Sequence, residues 1–280
     1  MDRLRFGTAG VPLSSLDRST LGGVKEVYRL NLDAMEMEFV RGVRMKESMA
    51  KEIRRVAESL NIVLTAHGPY YINLLSAEKE KVEASIKRIM DTARITYAAG
   101  GYSITFHAAY YGKVSKDEAY KKVRDLLKKI VRDLRDDGIE IWIRPETTGK
   151  GTQFGTLEEI ISLSQEIEMV LPCVDFAHIH ARSGGKYNSY EEFCDILRSI
   201  ENSLGREALD NMHIHFSGIE YGEKGERKHL NLEESDMKYR ELIRAWKDFN
   251  IKGVAISESP NIEGDAILMK KLWDEFWEQG

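Results

Sequence analysis

The 280-residue sequence has only two cysteines, Cys173 and Cys194, and they form no CxxC pair. Such a chain is not a disulfide scaffold, and a reducing compartment suits it. No run approaches the ~18 apolar residues that span a bilayer. The opening stretch, MDRLRFGTAGVPLSS, lacks the apolar segment of a secretory leader. A soluble, cytoplasmic monomer with no membrane partner is expected. No linker rich in proline or glycine divides the chain, so residues 1–280 read as one domain. GxSxG and GxxxxGK[ST] are also absent, which removes the nucleophile elbow and the phosphate loop.

Hydrophobic residues make up 42% and charged residues 31%, enough for a large core beneath a well-solvated surface. That balance excludes disorder for the body of the chain. The net charge of −5 argues mildly against nucleic-acid binding, although the distribution of charge counts for more than its sum.

Short apolar, β-branched runs recur at Leu4–Phe6, Ala34–Val40, Ile62–Ala66, Ser103–Phe106, Ile139–Ile143, Met169–Val174, Met212–Phe216 and Gly253–Ile256. Charged stretches with helical apolar spacing separate them, such as Lys81–Ala99, Asp117–Asp137, Tyr239–Asn250 and Ala266–Glu278. Strands alternating with helices imply parallel pairing through right-handed crossovers. Eight strands predict closure into a (β/α)8 TIM barrel, with an open doubly wound sheet as the rival.

The ends of these runs carry the reactive side chains. His67 ends the third, His107 the fourth and Glu146 the fifth; Asp175 and His178 end the sixth, His215 the seventh and Glu258 the eighth. His229 lies in the loop after the seventh. In a barrel all these ends meet on one face, where active sites sit. A lone strand-end histidine is more often a hydrogen-bonded core residue, and a lone carboxylate a cap or half of an ion pair. Several buried carboxylates beside several imidazoles are another matter, because unpaired buried charge is costly and cations at the centre compensate it. His213 should point inward one layer deeper, as a core or supporting histidine. His180 reads as a supporting group or a substitute ligand, the former favoured.

Imidazole and carboxylate without thiolate suit Zn2+, and also Mn2+ or Fe2+. The set exceeds what one tetrahedral ion can use, so two or three ions are expected, with Glu146 as the bridge. Clustered divalent ions are a recurring device for phosphoester hydrolysis, and they require no serine or cysteine nucleophile.

At these residues the sequence resembles endonuclease IV, the type 2 apurinic/apyrimidinic endonucleases, which are zinc enzymes. His67 in AHGPYYINL, His107 in TFH, Glu146 in PETTGKG, Asp175 and His178 in DFAH, His215 in HFSG and Glu258 in SES follow the family's motifs in chain order. The resemblance implies a trinuclear zinc site, with Glu146, Asp175 and Glu258 as its catalytic carboxylates. Glu146, Asp175, His215 and Glu258 would surround one ion, and His67, His107 and Glu146 the second. His178, His229 and a further carboxylate would hold the third. Where the family has Asp–Arg–His, this chain has Glu226–Arg227–Lys228–His229. A one-residue insertion makes Glu226 the ligand; strict alignment puts Arg227 there, and arginine cannot ligate.

The loops after the strands carry Arg41, Arg44, Lys113, Lys150, Arg182, Lys186, Arg227 and Lys228, interleaved with Tyr70, Tyr71, Tyr110 and Tyr111. Cations among aromatics suit phosphate contact with base stacking or wedging. Within the resemblance, Tyr70 falls on the intercalating tyrosine and Arg44 on an arginine that prises DNA open. The implied activity is hydrolysis of double-stranded DNA 5′ to an abasic site, leaving a 3′-hydroxyl. The alternative is a metal-dependent sugar isomerase or epimerase, whose Glu–Asp–His–Glu quartet is the same but which needs none of His67, His107, His178 and His229.

Overall fold

Each apolar run is too short for a helix and too apolar to lie in solvent, and the chain pairs these runs with one another. A computed structural model describes the backbone of residues 1–278 and the side chains of residues 1–275; the last two residues of the 1–280 domain lie outside the described residues. The paired strands are β1 (Leu4–Ala9), β2 (Ala34–Glu38), β3 (Val63–His67), β4 (Ser103–Phe106), β5 (Trp142–Pro145), β6 (Cys173–Asp175), β7 (Met212–Phe216) and β8 (Gly253–Ser257). They form one sheet in the order β5-β4-β3-β2-β1-β8-β7-β6, and every pairing is parallel.

The two ends of that order meet. Isolated parallel bridges, Ile143 with Val170 and Glu146 with Cys173, join β5 to β6. Pro145 and Pro172 lie at this seam and have no N–H to donate, which is why bridges replace a continuous ladder. The fold is therefore a (β/α)8 TIM barrel and not an open sheet.

Helices Thr20–Arg29, Glu47–Ser59, Lys79–Ala98, Lys116–Asp136, Leu157–Glu166, Tyr190–Leu204, Tyr239–Asp248 and Glu263–Glu278 cover the outside. Their amphipathic spacing fixes which face turns inward. Lys116–Asp136 buries Ala119, Val123, Leu127, Ile130, Val131 and Leu134, and Ser115 caps its start by accepting from the Glu118 amide. Each large aliphatic so buried contributes roughly 1.5–3 kcal/mol before entropy is counted. No helix among the described residues is long and apolar enough to cross a membrane.

Two strands start later than the apolar pattern predicts. Gly138, at φ +73, ends a helix, and the Ile139 amide bonds back to Leu134. The run expected at 139–143 thus pairs as Trp142–Pro145. Met169, at φ +62, and Pro172 keep much of 169–174 out of the ladder, leaving Cys173–Asp175. The apolar pattern also omits a short helix, Phe176–Arg182, and an antiparallel hairpin, Gly218–Gly222 with Gly225–Leu230.

At the N-terminal end of the barrel Arg144 is fully buried. It donates to the Pro172 carbonyl at 3.0 Å, the Tyr102 hydroxyl at 3.1 Å and the Asn211 carbonyl at 2.5 Å. This polar plug closes one end and leaves the chemistry to the other.

Candidate metal centre

The C-terminal ends of parallel strands project the last side chain of each strand toward a common axis. His67 and Asp175 end β3 and β6; His107, Glu146 and Glu258 follow β4, β5 and β8 by one residue, and His215 lies within β7. His178 is not at a strand end as the sequence reading has it. It sits in the first turn of Phe176–Arg182, which Asp175 caps by accepting the His178 amide at 2.7 Å on Oδ1. His229 lies not in a loop but, with Glu226, on the second strand of the hairpin.

The nine candidate ligands, Glu226 included, thus meet at one mouth. Ligand atoms of Glu146, Asp175, His215 and Glu258 lie within 4.8 Å of one another, as do those of His67, His107 and Glu146, and those of Asp175, His178 and His229. Glu146 is central. Its Oε2 is 3.2 Å from Nε2 of both His67 and His107. Its Oε1 is 3.0 Å from His178 Nδ1 and 3.5 Å from His215 Nδ1.

The ring orientations fit cations. Nδ1 of His67 faces the Gly68 carbonyl at 2.7 Å, that of His178 the Thr147 carbonyl at 3.0 Å, and that of His229 the Glu258 carbonyl at 3.2 Å. A carbonyl can only accept, so Nδ1 carries a proton, and Nε2 is the nitrogen that a cation would take in exchange for a proton. The Nε2 atoms of His178 and His229 then face each other at 3.2 Å. Two opposed lone pairs repel unless a cation or proton lies between them. Tetrahedral zinc with ~2.0 Å bonds places its ligand atoms about 3.3 Å apart. Glu146 Oε1, Asp175 Oδ2 and His215 Nδ1 are buried without hydrogen-bond partners, which is costly in a protein interior and relieved by cation coordination.

The hairpin turns Glu226, and not Arg227, toward the mouth. Glu220 pairs with Lys228 but Tyr221 pairs with Glu226, so Arg227 is an extra, bulged residue. A bulge turns two successive side chains to one face. Arg227 and Lys228 both reach Glu220, each at 3.4 Å. Glu226 is thereby returned to the inner face with His229, 3.5 Å from His178 Nε2 and 4.0 Å from His229 Nε2. Gly149 permits this approach, since a Cβ there would come within 2.7 Å of Glu226 Cβ.

Sequence reasoning missed Glu36. On β2 it points into the barrel, wholly buried. It accepts from Thr65 Oγ1 at 2.8 Å and lies 2.9 Å from His213 Nε2 and 2.8 Å from His215 Nε2. His213, whose Nδ1 meets Ser103 Oγ at 2.8 Å, sits one layer below the mouth as its position predicts. Glu36 Oε1 approaches Nε2 of His215 as a charge partner without hydrogen-bond alignment, and Nδ1 faces Glu146 and Glu258. The available signal was a charged residue at an inward, alternating strand position, which demands partners.

Electrostatics at the mouth follow from crowding. Burial presses the Glu36 and Glu146 carboxyls upward, but the surrounding imidazoles outweigh it and hold both well below the ordinary range. Burial opposes charge on His67, yet Glu146, Glu38 and Glu36 push its pKa up to about 10. Burial, with Glu258 and Glu146 adding to it, pushes Asp175 up to about 6. These carboxylates call for positive charge at their centre.

Above the cluster lies a cavity of about 610 Å³, lined among others by Glu38, His67, Tyr70, His107, Tyr110, Lys150, His229 and Glu258. Tyr70 stands at its rim, two-thirds exposed. Arg44 is exposed in the loop after β2 and does not line the cavity. Two residues read as DNA-facing turn elsewhere. The Tyr111 hydroxyl donates to Glu159, and Arg182 clamps the β5 loop through Thr148 and the carbonyls of Lys150 and Gln153.

A closed parallel barrel with imidazoles and carboxylates converging at its C-terminal mouth is the architecture of metal-dependent TIM-barrel enzymes. Residues 24–274 match the family described as Xylose isomerase-like TIM barrel, and the chain belongs to that family. It is 47% identical over 272 residues to an uncharacterized protein of Methanocaldococcus jannaschii, covering 97% of each chain. It is 25% identical over 224 residues to a probable endonuclease 4 of Aquifex aeolicus, covering 79% of this chain and 77% of that one. Endonuclease IV of Thermus thermophilus superposes with a TM-score of 0.74 at 20% identity, over 98% of this chain and all of that one. A D-tagatose 3-epimerase-like protein superposes with a TM-score of 0.72 at 19% identity, over 97% of each. The two structural likenesses share a fold and do not choose between reactions.

Proposed function

We propose that this chain is a metal-dependent phosphodiester hydrolase of the endonuclease IV type, cutting double-stranded DNA 5′ to abasic sites and leaving a 3′-hydroxyl. Zn2+ is the proposed cofactor, two or three ions per chain, with Mn2+ and Fe2+ also matching the donors. The observation that carries this reading is the pair of imidazole groups flanking the quartet. An isomerase with a single metal uses Glu146, Asp175, His215 and Glu258 and has no need of His67 with His107 or His178 with His229.

In this reading the quartet holds one cation, His67, His107 and Glu146 a second, and His178, His229 and Glu226 a third. Bound divalent cations supply charge neutralisation at the phosphate and acidify water at neutral pH. The chain's own residues do the rest. Glu146 holds the groups together from the centre. Asp175 and Glu258 belong to the quartet itself, where a carboxylate can accept a proton from incoming water. Tyr70 at the rim offers a stacking face and Arg44 a phosphate contact. Abasic sugars are the cheapest to flip, since no base pair is broken, and the cavity has the volume to take one. Both cysteines are buried and unpaired, which suits a reducing cytoplasm. Residues 1–280 are taken to act as one domain and as a monomer.

The likeness to the D-tagatose 3-epimerase-like protein sustains a second reading, a sugar isomerase or epimerase using the quartet alone. Incubation with a duplex carrying a tetrahydrofuran abasic analogue decides between them. Nicking 5′ to the analogue, abolished by chelation and accompanied by more than one metal per chain, is expected. No nicking, one metal per chain and turnover of a free ketose would overturn the proposal.

A further inference from the structure

His180 is fully buried and belongs to none of the side-chain groups that could hold a metal ion among the described residues. Its ring packs edge-on against Tyr221, with centroids 4.9 Å apart. Its Nε2 meets Asp236 Oδ1 at 3.1 Å, and the other oxygen of Asp236 accepts the Tyr221 hydroxyl at 2.7 Å. Asn188 Nδ2 donates to the Asp236 carbonyl at 2.7 Å, fixing the residue that joins the two rings. Gly185 makes room for the arrangement, because a Cβ there would stand 2.4 Å from the Tyr221 oxygen.

We propose that His180, Asp236 and Tyr221 form a latch that seats the Gly218–Leu230 hairpin and so sets the third cation position. This inference rests on the multinuclear reading above. The first two groups ride on the barrel and the turns just past its strands. The third does not, since Glu226 and His229 come from a hairpin that pairs with no strand of the barrel and meets the loop after β5 through the Lys150–Gly225 bridge and the bond from the Glu226 amide to the Gly149 carbonyl, while its other strand, with Tyr221, faces the His178 helix. A two-stranded hairpin is marginal alone, so contacts with the rest of the fold must set its position. His178 and His180 share one seven-residue helix. The latch therefore ties the hairpin to the element that presents His178, and a slip between them changes the 3.2 Å separation of the His178 and His229 Nε2 atoms. Cation sites tolerate only a few tenths of an ångström of such error. His180, Asp236 and Tyr221 are positioning residues in this account; none contacts the substrate.

The test counts metal in the intact chain. Wild type, Tyr221→Phe and Asp236→Asn are loaded with zinc, dialysed against a weak chelator and assayed for zinc per chain, with thermal melting alongside. Tyr221→Phe keeps the ring contact and removes only the hydroxyl; Asp236→Asn keeps the shape and removes the charge. Wild type is expected to hold three ions. Each variant should keep two and lose the third, or bind it about tenfold more weakly, with the barrel still melting cooperatively. Three ions held as tightly in both variants as in wild type would overturn the latch. So would loss of all ions together, which would mean that the network supports the whole fold. A wild-type count of two would remove the third position and the latch with it. A count of one or none would instead sink the multinuclear reading itself.

Discussion

Glu36 Oε1 lies 2.8 Å from Nε2 of His215, with both side chains sealed from solvent. This contact leaves Nδ1 of His215 to face the quartet. Carboxylates that orient a ligating histidine commonly govern metal affinity by ten- to a hundredfold. Glu36→Gln keeps the volume and removes the charge. Zinc affinity, measured by competition with a chromogenic chelator, should fall by about tenfold or more. Unchanged affinity would show that His215 needs no such support.

The bulge at Arg227 makes a second expectation specific. Glu226→Gln should weaken or remove one zinc per chain, while Arg227→Ala should leave the count unchanged and cost well under about 1 kcal/mol, as for an exposed ion pair. If the two variants exchange these outcomes, the register of the hairpin in solution differs from Tyr221 opposite Glu226.

Tyr70 and Arg44 separate DNA from small sugars as substrates. Loss of a stacking side chain typically costs about 1–3 kcal/mol, so Tyr70→Ala should weaken binding of an abasic duplex by about tenfold or more. Arg44→Ala should lower the salt dependence of binding by about one phosphate contact. Binding titrations across a salt series read both effects. Insensitivity of both variants would point away from a duplex ligand.

Glu26 shares with Glu263 the holding of the loop after β1, Glu263 accepting the Leu13 and Ser14 amides and Glu26 the Ser14 hydroxyl. Its carboxylate accepts from Arg29 and from Ser14 Oγ at 2.7 Å, and these bonds lower its pKa from 4.5 to about 2. A depressed pKa means that the contribution is complete above 4.5 and fades as pH falls toward 2. Protection from hydrogen exchange at residues 11–19, taken relative to the intrinsic amide rate, should therefore fall below about pH 4 in the wild type. Glu26→Gln should show the lowered protection at every pH. Identical profiles for the two proteins would show that the carboxylate does not hold this loop.

Much of the architecture is legible in the sequence. Eight β-branched runs separated by amphipathic stretches admit few topologies, because strand and helix periods each fix one buried face. The imidazoles and carboxylates at the ends of those runs marked the mouth, and even the insertion that favours Glu226 over Arg227 was visible as an alignment mismatch. Glu36 is not singled out by the sequence because the two alternating glutamates of AMEME, Glu36 and Glu38, look like the polar side of an alternating strand. Which side faces inward depends on how β2 sits between β1 and β3.

The sequence by itself determined the order of strands and helices, and which chemical groups arrive at the barrel's C-terminal end; both follow from local periodicity. Only tertiary structure decided that β5 meets β6 across two proline-flanked bridges, that Asp175 caps a helix to lift His178 into place, and which nitrogen of each imidazole faces the centre. The seam and the orientations of His178 and His229 depend on contacts between residues tens of positions apart, and the local bonds of Asp175 and Gly68 matter only because the barrel brings His178 and His67 to one mouth.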